Sequence, residues 1–419
     1  MLYNAIVGRR FQVLLSFAAA CVSSFCGGVE AAERVELEVR EVAGIRRHEP
    51  LNTLITLPQP VRLDTPFRLL LNDMPVNAQF RSAGEGELPS ARWWIDFSTA
   101  LGPFEQFTYV VEYGSGVQPV AESPKGHVLR QDTESFVIVN SPYITWKVPR
   151  DLTGLLRSVD FPPNEHLRPN SPGLVLRDRA GGRHPLGGAG VESGVLRAGT
   201  RAVALRFAGR FDQGPLAGVR WSTDLVFPSP VSWVEVICTV DDRDGKVAGV
   251  GCELNLALDP PKPDAPALVD IGAWTQLYAS LTQNEIVELR AEPTGHCTVF
   301  RGPPEKLRLM AANSEKPADP NAVRAAPPVA EGWLHVMDRQ RCLALAVDRF
   351  AQDAGERLTA TADGSVRIWR EYAADSAAKS SLQKTLRCWL HFVHYPPQYS
   401  AATSPRMMQT PPVVRQKPR

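Results

Sequence analysis

The chain has 419 residues, of which 44% are hydrophobic and 22% charged, a composition typical of globular proteins and not of disordered or fibrous ones. That length exceeds one ordinary hydrophobic core and predicts two or three domains. The 46 basic and 45 acidic side chains nearly balance, so the sequence has no basic footprint for nucleic acid, and nucleic-acid binding is not expected. The 36 prolines and 31 glycines separate short apolar runs along the whole chain, which predicts an all-β protein.

The N-terminus has the pattern of a secretory signal. Arg9 and Arg10 precede the apolar run FQVLLSFAAACV, and small residues follow it. We therefore predict a signal peptide over residues 1–31 and a secreted or periplasmic protein. The run is shorter than the ~20 residues that a membrane-spanning helix needs, and no other segment is closer to that length, so no transmembrane segment is predicted.

Residues 33–120 contain short alternating runs that predict strands with one buried face. These runs are RVELEVREV, LNTLITLPQP, FRLLLNDMPV, ARWWIDF and FTYVVEYGSG. Their close spacing, with no helical period between them, predicts a small β-barrel or sandwich.

The stretch SARWWIDF places two tryptophans on opposite sides of one predicted strand. Alternation puts Trp93 on the face of Ile95, and Trp94 on the face of Arg92 and Asp96. Trp93 is predicted to be a core residue. Trp94 either stacks on a sugar ring or packs beneath the second domain.

Residues 127–397 contain longer β-runs, among them SFVIVNSPYITWKVP and RWSTDLVFPSPVSWVEVICTVDD, and predict the large sheets of a β-sandwich. Within them, DDRDG has the composition of a hairpin turn. Residues 398–419 have little pattern, and their basic residues are not balanced by acidic ones, so a disordered basic tail is predicted there.

The cysteines beyond the predicted signal match neither a disulfide framework nor a zinc site in their spacing. They are odd in number: Cys238, Cys252, Cys297, Cys342 and Cys388. We predict buried free thiols, no metal site and no cofactor.

Three stretches together resemble the rhamnogalacturonan exolyase-like (PcRGLX/YetA-like) family of bacterial and fungal proteins. The first is LNTLITLPQPVRLDTPFRLLLNDMPVNAQF with SARWWIDF and YVVEYGSG, the second is ESFVIVNSPYITWKVP with GLVLRDRAGG, and the third is GWLHVMDRQRCLALAVDRFAQD with VRIWREY and LQKTLRCWLHF. The resemblance implies an N-terminal RIFT-type β-barrel followed by a β-supersandwich. The chain departs from the family at GELPS, where relatives have a tryptophan and Asp-Gly, and it ends where relatives continue into an α/α-toroid.

The stretch TLRCWLHFVHY supplies the candidate catalytic residues. Alternation places Arg387, Trp389, His391 and Tyr395 on one strand face. A lyase that cleaves uronate chains needs a base, a proton donor and a cation near the carboxylate. The predicted catalytic residues for these roles are His391, Tyr395 and Arg387. The same pattern also fits an ordinary sheet with one half-exposed face.

Aromatic and basic residues on predicted strand faces are candidates for contact with sugar rings. In VRIWREY, Arg367 and Trp369 share a face, and in WLHVMDRQ, Trp333 shares a face with His335 while Asp338 forms a turn. The predicted substrate-binding residues are Trp94, Trp369, Trp389 and Arg367.

Two functions fit these observations, and both have a polysaccharide or glycan as the partner. We favour a secreted carbohydrate-associated β-protein that binds glycans or partner proteins without catalysis, because the toroid is missing. The alternative is a polysaccharide lyase, or a related carbohydrate-active enzyme, acting on acidic polysaccharide. A truncated gene product is a third interpretation. The sequence does not indicate an oligomeric state.

Overall fold

A computed structural model describes residues 32–84, 86, 88–123, 125–140, 142–294, 296–312, 330–352, 354–372, 383–394 and 405–418. These residues form an all-β fold, as predicted, with one short α-helix and one 3₁₀ turn among many strands. None of the helices in these ranges has the length and hydropathy to cross a membrane. The predicted signal peptide, residues 1–31, lies outside the described residues.

The first part of the chain folds around its own hydrophobic core, which is built from the alternating apolar residues of its strands. Trp93, predicted to be a core residue, is buried there and contacts Phe67. The strands are β1 (Glu33–Arg40), β2 (Arg47–Val61), β3 (Phe67–Leu71), β4 (Met74–Val76), β5 (Ala78–Ser82), β6 (Ser90–Leu101) and β7 (Gln106–Tyr113).

The rest of the chain forms longer sheets. The strands up to the middle of the chain are β8 (Val128–Gln131), β9 (Ser135–Asn140), β10 (Ile144–Pro149), β11 (Ser158–Phe161), β12 (Asn164–Glu165), β13 (Gly173–Asp178), β14 (Arg183–Pro185), β15 (Glu192–Ala198), β16 (Ala202–Arg210), β17 (Arg220–Pro228), β18 (Trp233–Asp241) and β19 (Val247–Asn255). The remaining elements are β20 (Ala267–Gly272), β21 (Gln276–Leu281), β22 (Ile286–Ala291), β23 (Cys297–Gly302), the 3₁₀ turn Pro304–Lys306, β24 (Arg308–Ala312), β25 (Trp333–Met337), β26 (Arg341–Val347), β27 (Gly355–Thr361), β28 (Ser365–Glu371), β29 (Gln383–His394), α1 (Pro405–Gln409) and β30 (Val413–Gln416).

Two large antiparallel sheets enclose the main core. One has eight strands in the order β14-β13-β19-β28-β27-β22-β23-β24, and the other has nine in the order β15-β16-β17-β18-β29-β26-β25-β20-β21. A smaller sheet, β12 to β8, adds Phe136, Ile138 and Trp146 to the same core. All five of the cysteines predicted as free buried thiols are buried, and Cys238, Cys252, Cys342 and Cys388 are free.

The prediction of a hairpin at DDRDG is wrong. Strand β18 pairs with β17 and β29, whereas β19 pairs with β13 and β28, so the segment between them carries the chain from one sheet to the other. Asp242 stabilises this corner, because its carboxylate accepts the backbone N–H groups of Lys246 and Val247, both at 2.9 Å. An aspartate that binds backbone groups a few residues ahead fits a sheet-to-sheet corner as well as a hairpin.

The prediction of a disordered tail is also wrong for residues 405–418. Strand β30 pairs with β1 and so extends the sheet of β1, β7, β3 and β4. The side-chain amide of Gln409 in α1 donates hydrogen bonds to the carbonyl oxygens of Glu331 (2.6 Å) and Val347 (2.8 Å). The physical reason is that β1 would otherwise leave an edge of unpaired backbone groups, which an added strand satisfies without needing an alternating pattern of its own.

A buried ion pair joins the first part of the chain to the nine-stranded sheet. The guanidinium of Arg197 on β15 contacts both carboxylate oxygens of Asp96 on β6, with Nε to Oδ2 at 3.0 Å and Nη2 to Oδ1 at 3.1 Å. Burial raises the pKa of Asp96, and Arg197 opposes that rise. The same guanidinium lies 4.5 Å from the ring of Trp94, so this tryptophan packs against the second part of the chain.

Replacing Asp96 with alanine should strongly destabilise the protein. The substitution leaves the buried Arg197 charge without its partner, so we expect the free energy of unfolding to fall by about 3–5 kcal/mol in chemical denaturation. Asp64→Ala is the control, because Asp64 pairs with Arg62 at the surface and its loss should leave the denaturation midpoint unchanged. Equal midpoints for the two variants would contradict this account.

Candidate functional site

The outer face of the nine-stranded sheet holds the polar and aromatic residues of the candidate site. Every second residue of these strands faces the core between the sheets, for example Leu334, Leu345 and Leu390. The residues between them must then point away from the core, because successive side chains alternate across a strand. His335 and His391 belong to this outward set.

Direct backbone pairing places six of these outward residues in one line across the sheet. We call this line the cross-strand row; its members are Tyr278, Asp270, His335, Ala344, His391 and Trp233, on β21, β20, β25, β26, β29 and β18. Neighbouring strands are about 4.8 Å apart, so the row spans roughly 24 Å. Its members are far apart in sequence and come together only through strand pairing.

Asp270 and His335 form the most unusual contact of the row. Oδ2 of Asp270 accepts a hydrogen bond from the Gln276 side chain at 2.7 Å and lies 3.5 Å from Nδ1 of His335. Oδ1 of Asp270 and both ring nitrogens of His335 are buried and have no hydrogen-bond partner within the described part of the chain. Buried polar atoms nearly always have a partner, so this pair is the position of the row where hydrogen-bonding capacity is left over.

His391 is uncharged at neutral pH. Burial, with a smaller contribution from His335, lowers its pKa to about 4. Its ring meets the Trp233 ring edge to face, with centroids 5.7 Å apart. The small side chain of Ala344 separates the two histidines, so the imidazoles flank a position where the sheet has little side-chain bulk.

A second outward line lies beside the row and is more apolar. Trp333 and Trp389 are buried on either side of Ala346 and pack against Met408 of α1. The Trp333 indole covers Gly272, where any β-carbon would lie 2.2 Å from the ring nitrogen. Met408 of the helix therefore covers the tryptophan pair, and Trp233 of the row packs against the same cluster.

The structure brings three of the predicted site residues to this face. His391 lies in the row, and Trp389 lies in the tryptophan cluster beside it. Arg387 also points outward, but its guanidinium binds Glu235 and lies 4.8 Å from the Trp389 ring. Tyr395 lies outside the described residues.

The other predicted substrate-binding residues lie elsewhere. Trp369 and Arg367 are on the outer face of the eight-stranded sheet, which is the opposite side of the sandwich. Arg177 lies 5.5 Å from the Trp369 ring, and Arg367 lies 3.9 Å from Glu253. Trp94 packs against Arg197, as described above, and is not part of this face.

Sequence reasoning missed Asp270, and it placed His335 on a strand face without proposing it as a site residue. The sequence marks both positions weakly, because a single ionisable residue stands in an otherwise uncharged strand. Asp270 is that residue in β20, and His335 is that residue in β25. Asp338, predicted to form a turn, does so, because its carboxylate accepts the backbone N–H groups of Gln340 and Arg341, both at 2.7 Å.

Comparison with known proteins shows similarity of fold. No protein-family model and no curated protein matches the chain. A protein in glycosyl hydrolase family 38 from Enterococcus faecalis is similar in structure, with 7% identity, a TM-score of 0.58, and coverage of 93% of this chain and 48% of that one. An α-mannosidase from Enterococcus faecalis V583 has 8% identity, a TM-score of 0.53, and coverage of 97% and 49%. The chain thus spans about half the length of these two structures.

Acidification should destabilise the protein partly through His391. Its pKa in the folded state, about 4, lies below the value of 6.5 expected in the unfolded chain. The unfolded state therefore binds the proton first, so stability present above pH 6.5 is lost as the pH falls toward 4. In His391→Gln, we expect the loss of unfolding free energy between pH 7.5 and 4.5 to be smaller by roughly 2–3 kcal/mol.

Chemical denaturation at both pH values measures this difference. Burial also lowers the pKa of His127 to about 4, and this group is the same in both proteins, so the comparison isolates His391. His48→Gln, at an exposed position of β2, is the matched control. The same pH dependence in His391→Gln and wild type would show that His391 does not titrate as described.

Proposed function

We propose that this protein is a carbohydrate-associated β-protein that binds a glycan at the cross-strand row without cleaving it. The observation that carries the proposal is the buried pair of Asp270 and His335, whose unpartnered atoms lie in one line with the aromatic rings of Tyr278 and Trp233. Sugars present hydroxyl groups at the ring edge and C–H groups on the ring face, so polar acceptors beside aromatic rings suit them.

The similar structures support the carbohydrate part of the proposal. By their descriptions, one is a glycosyl hydrolase family 38 protein and the other an α-mannosidase, and this chain matches about half of each. We propose that the chain is related to the carbohydrate-associated β-domains of such enzymes and acts in a secreted or periplasmic location. We also propose that the chain belongs to the PcRGLX/YetA-like family. Residues 33–120 would then form a RIFT-type barrel and residues 127–397 a supersandwich.

The proposal predicts that Tyr278→Ala weakens glycan binding. Tyr278 is 55% exposed and lies at the accessible end of the row, so its loss removes an aromatic contact while disturbing the core little. We expect an affinity about tenfold lower, as for an aromatic residue that dominates an interface. Affinity gel electrophoresis through mannan, galactan and pectic polymers measures the change.

Tyr143→Ala is the matched control for this test. Tyr143 is 69% exposed and lies before β10, in a different sheet, so its loss should leave retardation in the gel unchanged. Equal retardation of the two variants would place the glycan somewhere other than the cross-strand row. Absence of retardation by every polymer would refute the proposed function.

One observation favours the lyase alternative. His391 is neutral at pH 7 and lies two strands from the Asp270–His335 pair, and a neutral imidazole can act as a general base. A uronate lyase also needs a cation near the substrate carboxylate, and Arg387, the predicted cation, is bound to Glu235.

We therefore expect binding without cleavage. Incubation with galacturonan or rhamnogalacturonan should give no increase in absorbance near ~232 nm, where the unsaturated products of a uronate lyase absorb; such products would arise only if a base removed the proton beside the carboxylate. An increase that disappears in His391→Gln would favour the enzyme over the binding protein.

A further inference from the structure

The charge of the cross-strand row indicates which class of sugar it takes. Asp270 is 1% exposed, and its Oδ1 has no hydrogen-bond partner among the described residues. An ionised carboxylate only accepts hydrogen bonds, so its partner must be a donor such as a hydroxyl group. A second carboxylate at this position would offer no donor and would be repelled by Asp270.

The histidines of the row do not supply a net positive charge. His391 is uncharged because burial lowers its pKa to about 4. The His335 ring lies beside a carboxylate, with Nδ1 3.5 Å from Oδ2 of Asp270, so that carboxylate would offset a positive charge on the ring. The row therefore has no unpaired cation to receive an anionic sugar.

The nearest arginines on this sheet are already paired within the described part of the chain. Arg387 is bound to Glu235, and Arg341 contacts the carboxylates of Asp338 and Asp259, each at 3.4 Å. Arginines that bind a substrate carboxylate normally do so with both N–H groups of the fork, and Arg387 uses Nε and Nη2 on Glu235 in this way.

We infer that the cross-strand row binds an uncharged, hydroxyl-bearing sugar in preference to a uronate. The inference rests on the proposed function and deepens it. A hydroxyl of the sugar donates to Oδ1 of Asp270 and accepts from a ring N–H of His335, so that one group pairs with two of the three unpartnered atoms. The Tyr278 ring, one strand from Asp270, contacts the apolar face of this sugar, and the Trp233 ring at the other end of the row contacts a sugar unit further along the glycan.

A pair of polymers that differ only in charge tests the inference. Fully methyl-esterified homogalacturonan and the same polymer after de-esterification share one backbone, and β-mannan and galactan serve as further neutral probes. We expect the wild-type protein to bind the esterified polymer at least about tenfold more tightly than the de-esterified one at fixed salt. Affinity gel electrophoresis and titration of tryptophan fluorescence both measure this ratio.

Variants locate the origin of the preference. Asp270→Asn keeps the shape and removes the charge, so the ratio should fall to within about twofold of unity. Asp224→Asn is the matched control, since Asp224 lies on the same face of the same sheet, is bound to Arg206 and is outside the row. Gln276→Lys is a second test at an exposed position; it keeps a donor to Asp270 and adds a cation, and should increase binding of the de-esterified polymer.

Each outcome decides between the two claims. Equal or tighter binding of the de-esterified polymer by the wild-type protein overturns the neutral-sugar inference and leaves the proposed function standing. A ratio that neither Asp270→Asn nor Gln276→Lys changes also overturns the inference, because the preference then arises elsewhere. Failure to bind any of the polymers, charged or neutral, overturns the proposed function and the inference with it.

Discussion

The hydrophobic layer between the two large sheets is the constraint on which the rest of the structure depends. Burial of apolar side chains is the main favourable contribution to folding, and in a strand it fixes the direction of every second residue. Once Leu334, Leu345 and Leu390 face the core, His335 and His391 must face outward. A shift of one residue in any of these strands would exchange the two sets, so the core specifies the register of the candidate site as strongly as it specifies the fold.

The same constraint explains why polar residues with no local partner are tolerated on the outer face. The free energy of the inner layer is large enough to hold Asp270 and His335 in position although the described residues leave three of their polar atoms without a hydrogen bond. Unpaired buried polar atoms cost stability, and proteins tolerate such costs mainly at functional sites. The buried Asp96–Arg197 pair differs, because there both partners come from the chain itself and their charges are matched.

Much of the local structure could be predicted from the sequence, and most of the long-range structure could not. Alternation within LRCWLHFVH assigns Trp389 and His391 to one face correctly, because period two is a local property. That β26 lies between β25 and β29, so that His335 and His391 flank Ala344, depends on strand pairs that local patterns do not encode. The corner at Asp242 and the strand β30 were mispredicted for the same reason: a turn motif does not tell which sheet follows, and an added strand needs only backbone groups.

The two outer faces of the sandwich differ in how far their polar residues are paired with one another. Around Trp369 the charges are arranged in mutual pairs, with Arg177 bound to Glu371 and Arg183 bound to Glu253, so that face is satisfied by its own residues. An aromatic ring that contacts arginines already paired with carboxylates adds stability to a sheet and needs no ligand. The cross-strand row differs, since Oδ1 of its buried Asp270 has no hydrogen-bond partner among the described residues and Arg387 is bound to Glu235. The proposed site therefore depends on the hydrogen-bonding state of the polar residues beside the aromatic rings and not on tryptophan alone.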